Sequence, residues 1–305
     1  MNPLPASPAD VLAAFAAEGY IGTDDIAMSV FLAQHLDKPI LVEGPPGVGK
    51  TELAKTAAAV LAAPLIRLQC YEGLDESRAL YEWKYSKQLL YTQLLKEKLA
   101  SLLDSAASVE DSLAALQGPG ELFYSADFLQ ARPLLAALQS PQRAVLLIDE
   151  IDKADAEFEA FLLELLSDYQ VTIPELGTVR AQQPPLVVLT SNNSRELSDA
   201  LKRRCLHLFI PFPDLKLEQR ILRARLPQLD AELASQLAGF VAKLRELDLK
   251  KRPAVSETLD WARALLVLHA DSLDPALVTA TLRVLLKHEE DVALVRDQLH
   301  RLLSA

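Results

Sequence analysis

Apolar residues along this chain follow two kinds of pattern, and the change between them divides it. Up to about residue 212, short unbroken apolar runs alternate with stretches whose apolar positions recur every three to four residues. The runs at 39–43, 64–70, 145–148, 186–189 and 206–210 read as strands, and the continuous ones predict a parallel sheet covered on both faces. Between them, helical periodicity predicts helices over 11–18 and 24–36, a helix that follows the glycine-rich segment to about residue 61, and a long one over 82–103. Ser, Ala, Gly and Pro are scattered through 105–120, which predicts irregular or loosely helical chain. The turn Pro174-Glu175-Leu176-Gly177 separates two short stretches, 169–173 and 178–180, as in a hairpin. Beyond Pro211-Phe212-Pro213-Asp214 no strand pattern returns, and Val255, Leu259, Ala262 and Leu266 keep helical spacing. The expected architecture is an α/β domain over 1–212, a three-layer parallel sheet, followed by a smaller all-helical domain over 213–305.

Composition narrows the class. With 305 residues, 50% hydrophobic and 24% charged, the chain can build two cores, and disordered or collagen-like structure is excluded. No apolar run approaches the ~18 residues of a membrane-spanning helix. The start, Met1-Asn2-Pro3-Leu4-Pro5, lacks the basic and apolar regions of a secretory signal, so a cytoplasmic location is expected. Cys70 and Cys205 sit in apolar surroundings without C-x-x-C spacing, as buried reduced thiols do. The five histidines show no metal-ligand spacing. A formal net charge of −11 repels a phosphate backbone, which makes nucleic acid a poor default partner.

The chemistry is concentrated at strand ends. Gly44-Pro45-Pro46-Gly47-Val48-Gly49-Lys50-Thr51 is a complete G-x-x-x-x-G-K-[ST] phosphate cradle between an apolar run and a helix-forming run. Its glycines allow backbone N–H groups to face a polyphosphate at the positive end of the following helix. Lys50 reaches the β/γ-phosphates and Thr51 holds Mg²⁺. A second strand ends in Asp149-Glu150: Asp149 is placed to bind Mg²⁺, and Glu150 to take a proton from the water that attacks the γ-phosphate. Asp152 and Asp155 read as solvated or helix-capping charges. Thr190-Ser191-Asn192-Asn193 follows a third strand, with Asn192 the choice for orienting that water. Leu201-Lys202-Arg203-Arg204-Cys205 then supplies arginines that can stabilise phosphoryl-transfer charge, in trans when they come from a neighbouring subunit.

These elements, in this order and followed by a helical domain, look like those of the AAA+ ATPases, and the chain resembles the MoxR family within them. In that resemblance Gly44, Pro45, Pro46, Gly47, Val48, Gly49, Lys50 and Thr51 match the phosphate loop, Asp149 and Glu150 the Walker B acids, Asn192 the first sensor, and Arg204, with Arg203 beside it, the arginine finger. Insertions near 169–181 and 71–85 fall where MoxR-type proteins carry theirs, and the second is worded like the carbon monoxide dehydrogenase maturation (CoxD-like) branch. The resemblance implies ATP and Mg²⁺, a hexameric ring, and a chaperone-like role. It also implies a von Willebrand factor A domain partner and a client metalloenzyme. One position departs from the family: Ala254 stands where its second sensor arginine would, with Lys251 or Arg252 as substitutes reaching from the preceding turn. Tyr81, Trp83, Tyr85 and Tyr91 either form an interaction surface or pack locally. The alternatives to a remodelling ATPase are a nucleic-acid-dependent motor or loader and a slow nucleotide-dependent scaffold switch.

Overall fold

A computed structural model describes residues 5–96, 124–174 and 176–303. Helices α1 (Pro8–Ala17) and α2 (Asp24–Leu36) begin on Ser7 and Thr23, whose side chains accept from Asp10 and Ile26 N–H groups. Strand β1 (Ile40–Glu43) runs into the glycine loop and α3 (Lys50–Val60), and β2 (Leu65–Gln69) follows. With β5 (Val145–Asp149), β8 (Leu186–Ser191) and β9 (Leu206–Phe209) these strands form one fully parallel sheet in the order β2-β5-β8-β1-β9. Consecutive residues of the buried strands serve opposite layers. Val145 and Leu147 pack with α1, α2 and α3, while Leu146 and Ile148 pack with α6 (Pro133–Leu138) and α7 (Ala156–Asp168). That division explains why the strands carry unbroken apolar runs.

Two small antiparallel sheets stand outside this one. The hairpin of β6 (Gln170–Ile173) and β7 (Gly177–Arg180) lies where the sequence places it. The expected helix over 82–103 is corrected at its start, where Tyr81-Glu82-Trp83 forms β3, paired with β4 (Leu129–Ala131); helix α5 covers Tyr85–Leu94, and 97–103 lies outside the described residues. Local periodicity cannot see a strand partner more than forty positions away, and no residue of α5 is buried to give its pattern a core. The irregular stretch expected over 105–120 lies outside the described residues. A short helix, α4 (Glu76–Ala79), was not expected. Tyr81, Trp83 and Tyr91 make edge-on contacts with neighbouring rings, whereas Tyr85 is exposed.

After β9 the chain is helical. α9 (Leu215–Arg225), α10 (Ala231–Glu246), α11 (Val255–Val267), α12 (Pro275–Leu285), α13 (Glu289–Asp297) and α14 (Leu299–Leu303) enclose their own core around Trp261, Leu237 and Leu282. Within it, the buried Glu218 carboxylate takes two hydrogen bonds from Arg245 and one from Thr258. These helices form a second unit beside the parallel sheet, here termed the lid. Among the described residues, no helix is long and apolar enough to cross a membrane.

Candidate active site

The glycine loop leaves β1 and turns into α3 between the central sheet and the lid. Gly44 has φ +148°, and a Cβ there would lie 2.1 Å from the Ile210 carbonyl oxygen, so only glycine fits this approach. Gly47 has φ +75°, and its Cβ would meet the Ser256 hydroxyl at 2.4 Å. Lys50 is the first residue of α3 and is buried, with neutral oxygens as its hydrogen-bond partners. Its Nζ donates to the Gly44 and Pro45 carbonyls at 2.6 and 2.7 Å and to Asn192 Oδ1 at 2.7 Å. Burial pulls its pKa down to about 8, against the opposing pull of Asp152, Asp149 and Glu150. None of these three hydrogen-bond partners is an anion.

One strand brings the acids to it. Asp149, at the end of β5, is buried and accepts from Thr51 Oγ1 at 3.1 Å, from Thr190 Oγ1 at 2.6 Å and from the Arg67 guanidinium at 2.5 Å. Glu150 has φ +57°, a conformation costly for a residue with a side chain, and it bends the carboxylate out of the strand line into the cleft. It accepts from Gln69 at 2.9 Å, from Lys153 at 2.6 Å and from Asn192 Nδ2 at 3.3 Å. Asn192 therefore joins Lys50 to Glu150.

Asp152 is corrected. It is neither solvated nor a cap: it is buried, and it accepts from the Asn192 and Ser194 N–H groups at 3.2 and 2.9 Å and from Ser194 Oγ at 2.6 Å. Burial alone would raise its pKa, but these donors outweigh burial and hold it below the usual carboxylate range. Asp155 does cap α7, accepting from Phe158 N–H. Cys70 is buried and Cys205 partly so; both are free thiols, pushed up to about 12 by burial first.

The cleft has a volume of about 830 Å³. It takes in Lys50, Thr51, Asp149, Glu150 and Asn192, but neither Arg203 nor Arg204. Those two end α8 (Asp199–Arg204), where Arg204 donates to Ser167 Oγ at 2.6 Å and to the Ala200 carbonyl at 3.1 Å. Lys251 and Arg252 are also outside it: Lys251 pairs with Glu257 at 3.3 Å, and Lys251 and Arg252 are both exposed. Sequence reasoning passed over Arg67, Arg225 and Arg263, which line the cleft, and Gln69, which donates to Glu150. Arg67 and Gln69 carried a signal, since polar residues at alternate positions of a strand share one face.

The donor set fits a magnesium-bound triphosphate. The Thr51 hydroxyl and Asp149 carboxylate, already in contact, are hard oxygen ligands of the kind Mg²⁺ takes. Fold and site together define a P-loop nucleoside triphosphatase. The model of the AAA domain, dynein-related subfamily, matches residues 39–205, more than half of the chain, and the chain belongs to that family. It is thus an ATPase that uses ATP with Mg²⁺. The chain is 26% identical over 238 residues to the uncharacterized protein SAB1265c of Staphylococcus aureus (strain bovine RF122 / ET3-1), which covers 76% of each. It is 26% identical over 255 residues to the uncharacterized protein SH1500 of Staphylococcus haemolyticus (strain JCSC1435), 81% of this chain and 83% of that one. Among solved structures, a point mutant of Thermotoga maritima RuvB aligns with a TM-score of 0.50 and 20% identity over 99% of this chain and 81% of that one. Another point mutant of the same protein also gives 0.50 at 20% identity, over 98% and 79%. At that identity the likeness concerns the fold.

Proposed function

We propose that the chain works as a ring of identical subunits, a hexamer of the MoxR type, whose ATP hydrolysis remodels or matures a client enzyme. One observation carries the assembly: the cleft of a single subunit collects the phosphate loop, the acid pair and Asn192, while Arg203 and Arg204 lie outside it on α8. An arginine finger outside its own site has a use when it enters a neighbour's.

In this reading Lys50 holds the β/γ-phosphate oxygens, Glu150 accepts the proton of the attacking water, and Asn192 fixes that water between the two. Mg²⁺, held by Thr51 and Asp149, supplies positive charge against the phosphates. Arg204 of an adjacent subunit completes the charge stabilisation, with Arg203 as its alternative. The MoxR resemblance supports a von Willebrand factor A domain partner and a client metalloenzyme, in the carbon monoxide dehydrogenase maturation branch. The β3–β4 and β6–β7 pairs, outside the main sheet, are the surfaces offered to them.

Subunit mixing tests the ring. Arg204→Ala and Glu150→Gln should each be inactive alone. Mixed in equal amounts they should recover roughly a quarter of wild-type turnover, because one interface in four pairs an intact Glu150 with an intact Arg204. Turnover that stays absent on mixing, or that is independent of wild-type concentration, sinks the shared site.

A further inference from the structure

The lid meets the cleft along two helices. On α9, Leu217, Ile221 and Arg225 recur every four residues and line the cleft, while Glu218 and Leu222, one position on, turn into the lid core. On α11, Ser256, Leu259 and Arg263 form the corresponding stripe. The residue that caps the start of α11 carries no charge: Ala254 lies against Gly47, and the Ser256 N–H donates to the Gly47 carbonyl at 3.3 Å. The lid therefore brings two arginines to the cleft, and they differ. Arg263 pairs at 2.9 Å with Asp260 of its own helix, both side chains more than half exposed. Arg225 crosses to the other unit, its Nη2 2.7 Å from Glu52 Oε1.

Glu52 directly follows Thr51 in the first turn of α3, the end of the helix whose N–H groups face bound phosphate. A carboxylate there opposes an incoming anion. Its contacts run to Lys55 and Arg225, away from Asp149, Glu150 and Asn192 around the γ-phosphate. Burial works against its ionisation, yet the Arg225 guanidinium keeps it below the usual carboxylate range. Tyr20 closes the group, its ring 3.6 Å from where a Gly49 Cβ would stand.

Building on the ATP site described above, we propose that Arg225 is a positioning residue that ties the lid to the nucleotide through Glu52. It cancels the Glu52 charge beside the anion site and fixes the end of α9 against α3 as the cleft fills. Glu52 lies on the side away from the γ-phosphate residues, so the tie serves ADP and ATP alike. The lid senses that a nucleotide is present, not which one.

Calorimetry with ADP and with a non-hydrolysable ATP analogue tests this on the full chain, alongside hydrogen exchange across α9. Arg225→Ala should weaken both nucleotides about fivefold to tenfold and abolish nucleotide-dependent protection of α9. Arg225→Lys should keep most of both. Adding Glu52→Gln to Arg225→Ala should restore affinity, since no charge remains to cancel, without restoring protection. A loss confined to the ATP analogue would overturn the proposal, as would a double variant as weak as Arg225→Ala alone. Glu52→Gln by itself guards against misfolding of Arg225→Ala: it should bind at least as tightly as wild type yet lose protection, and unchanged protection overturns the tie. If wild type binds neither nucleotide, the ATP site falls with it; if wild type binds and Arg225→Ala is indifferent, only this inference fails.

Discussion

At the phosphate end of the cleft, Asn192 bonds both Lys50 and Glu150 while Asp149 takes hydrogen bonds from Thr51 and Thr190, so neighbouring parallel strands and the start of α3 are tied together. At the lid end, Leu217, Ile221 and Leu259 offer apolar surface, and among the described residues the polar ties to the core include a partly exposed ion pair and a backbone hydrogen bond. The first region is fixed by hydrogen bonds from several elements, the kind of order that electrostatic stabilisation of phosphoryl transfer requires. The second is held by few polar ties, and partly exposed ion pairs contribute only about 0–1 kcal/mol. One cleft thus joins a densely hydrogen-bonded end to a sparsely bonded, more apolar one.

Four substitutions sharpen the contrast, beginning at the densely bonded end. Lys50→Ala should abolish ATP binding and turnover together, read by calorimetry and phosphate release; retained binding would show that the loop is not the phosphate site. Glu150→Gln should lower turnover at least about a hundredfold while ATP stays bound. Filter binding in the presence of Mg²⁺ would check that separation, and unchanged turnover removes Glu150 as the base. Asp152→Ala should lower kcat roughly tenfold with little change in KM, because it frees the backbone that aims Asn192 without touching the loop. Equal changes in both parameters would point to a general loosening. Arg263→Ala should alter nucleotide affinity by less than about threefold, as its partner lies on its own helix. A larger loss there would make the lid end less sparsely bonded than the contrast requires.

Legibility in the sequence follows the same division. The phosphate loop is contiguous, so eight residues declare it without knowledge of the fold. Asp149-Glu150 and Asn192 are readable because each is polar and ends an apolar strand, and the parallel sheet brings those ends together. Asp152 was misread because its partners, Asn192 and Ser194, lie some forty residues on and become neighbours only when β5 and β8 pair. Arg67 and Gln69 act through the register of β2 on β5, which sets Gln69 opposite Asp149. The start of the helix expected over 82–103 failed for a similar reason, a strand partner supplied from beyond the local window. Arg225 resembles any basic residue in the last turn of a helix, and only the position of the lid gives it Glu52.

The bare backbone of Gly44 has a reach beyond its own loop. Where a side chain would stand, the Ile210 carbonyl fits, and the Ile210 N–H donates to the Glu43 carbonyl at 2.8 Å. From Ile210 the chain passes through Phe212 directly into α9. The root of the lid is therefore seated on the first peptide of the phosphate loop. One added methyl group at position 44 would act as a wedge, disturbing the hold on the nucleotide and the seat of the lid in a single stroke.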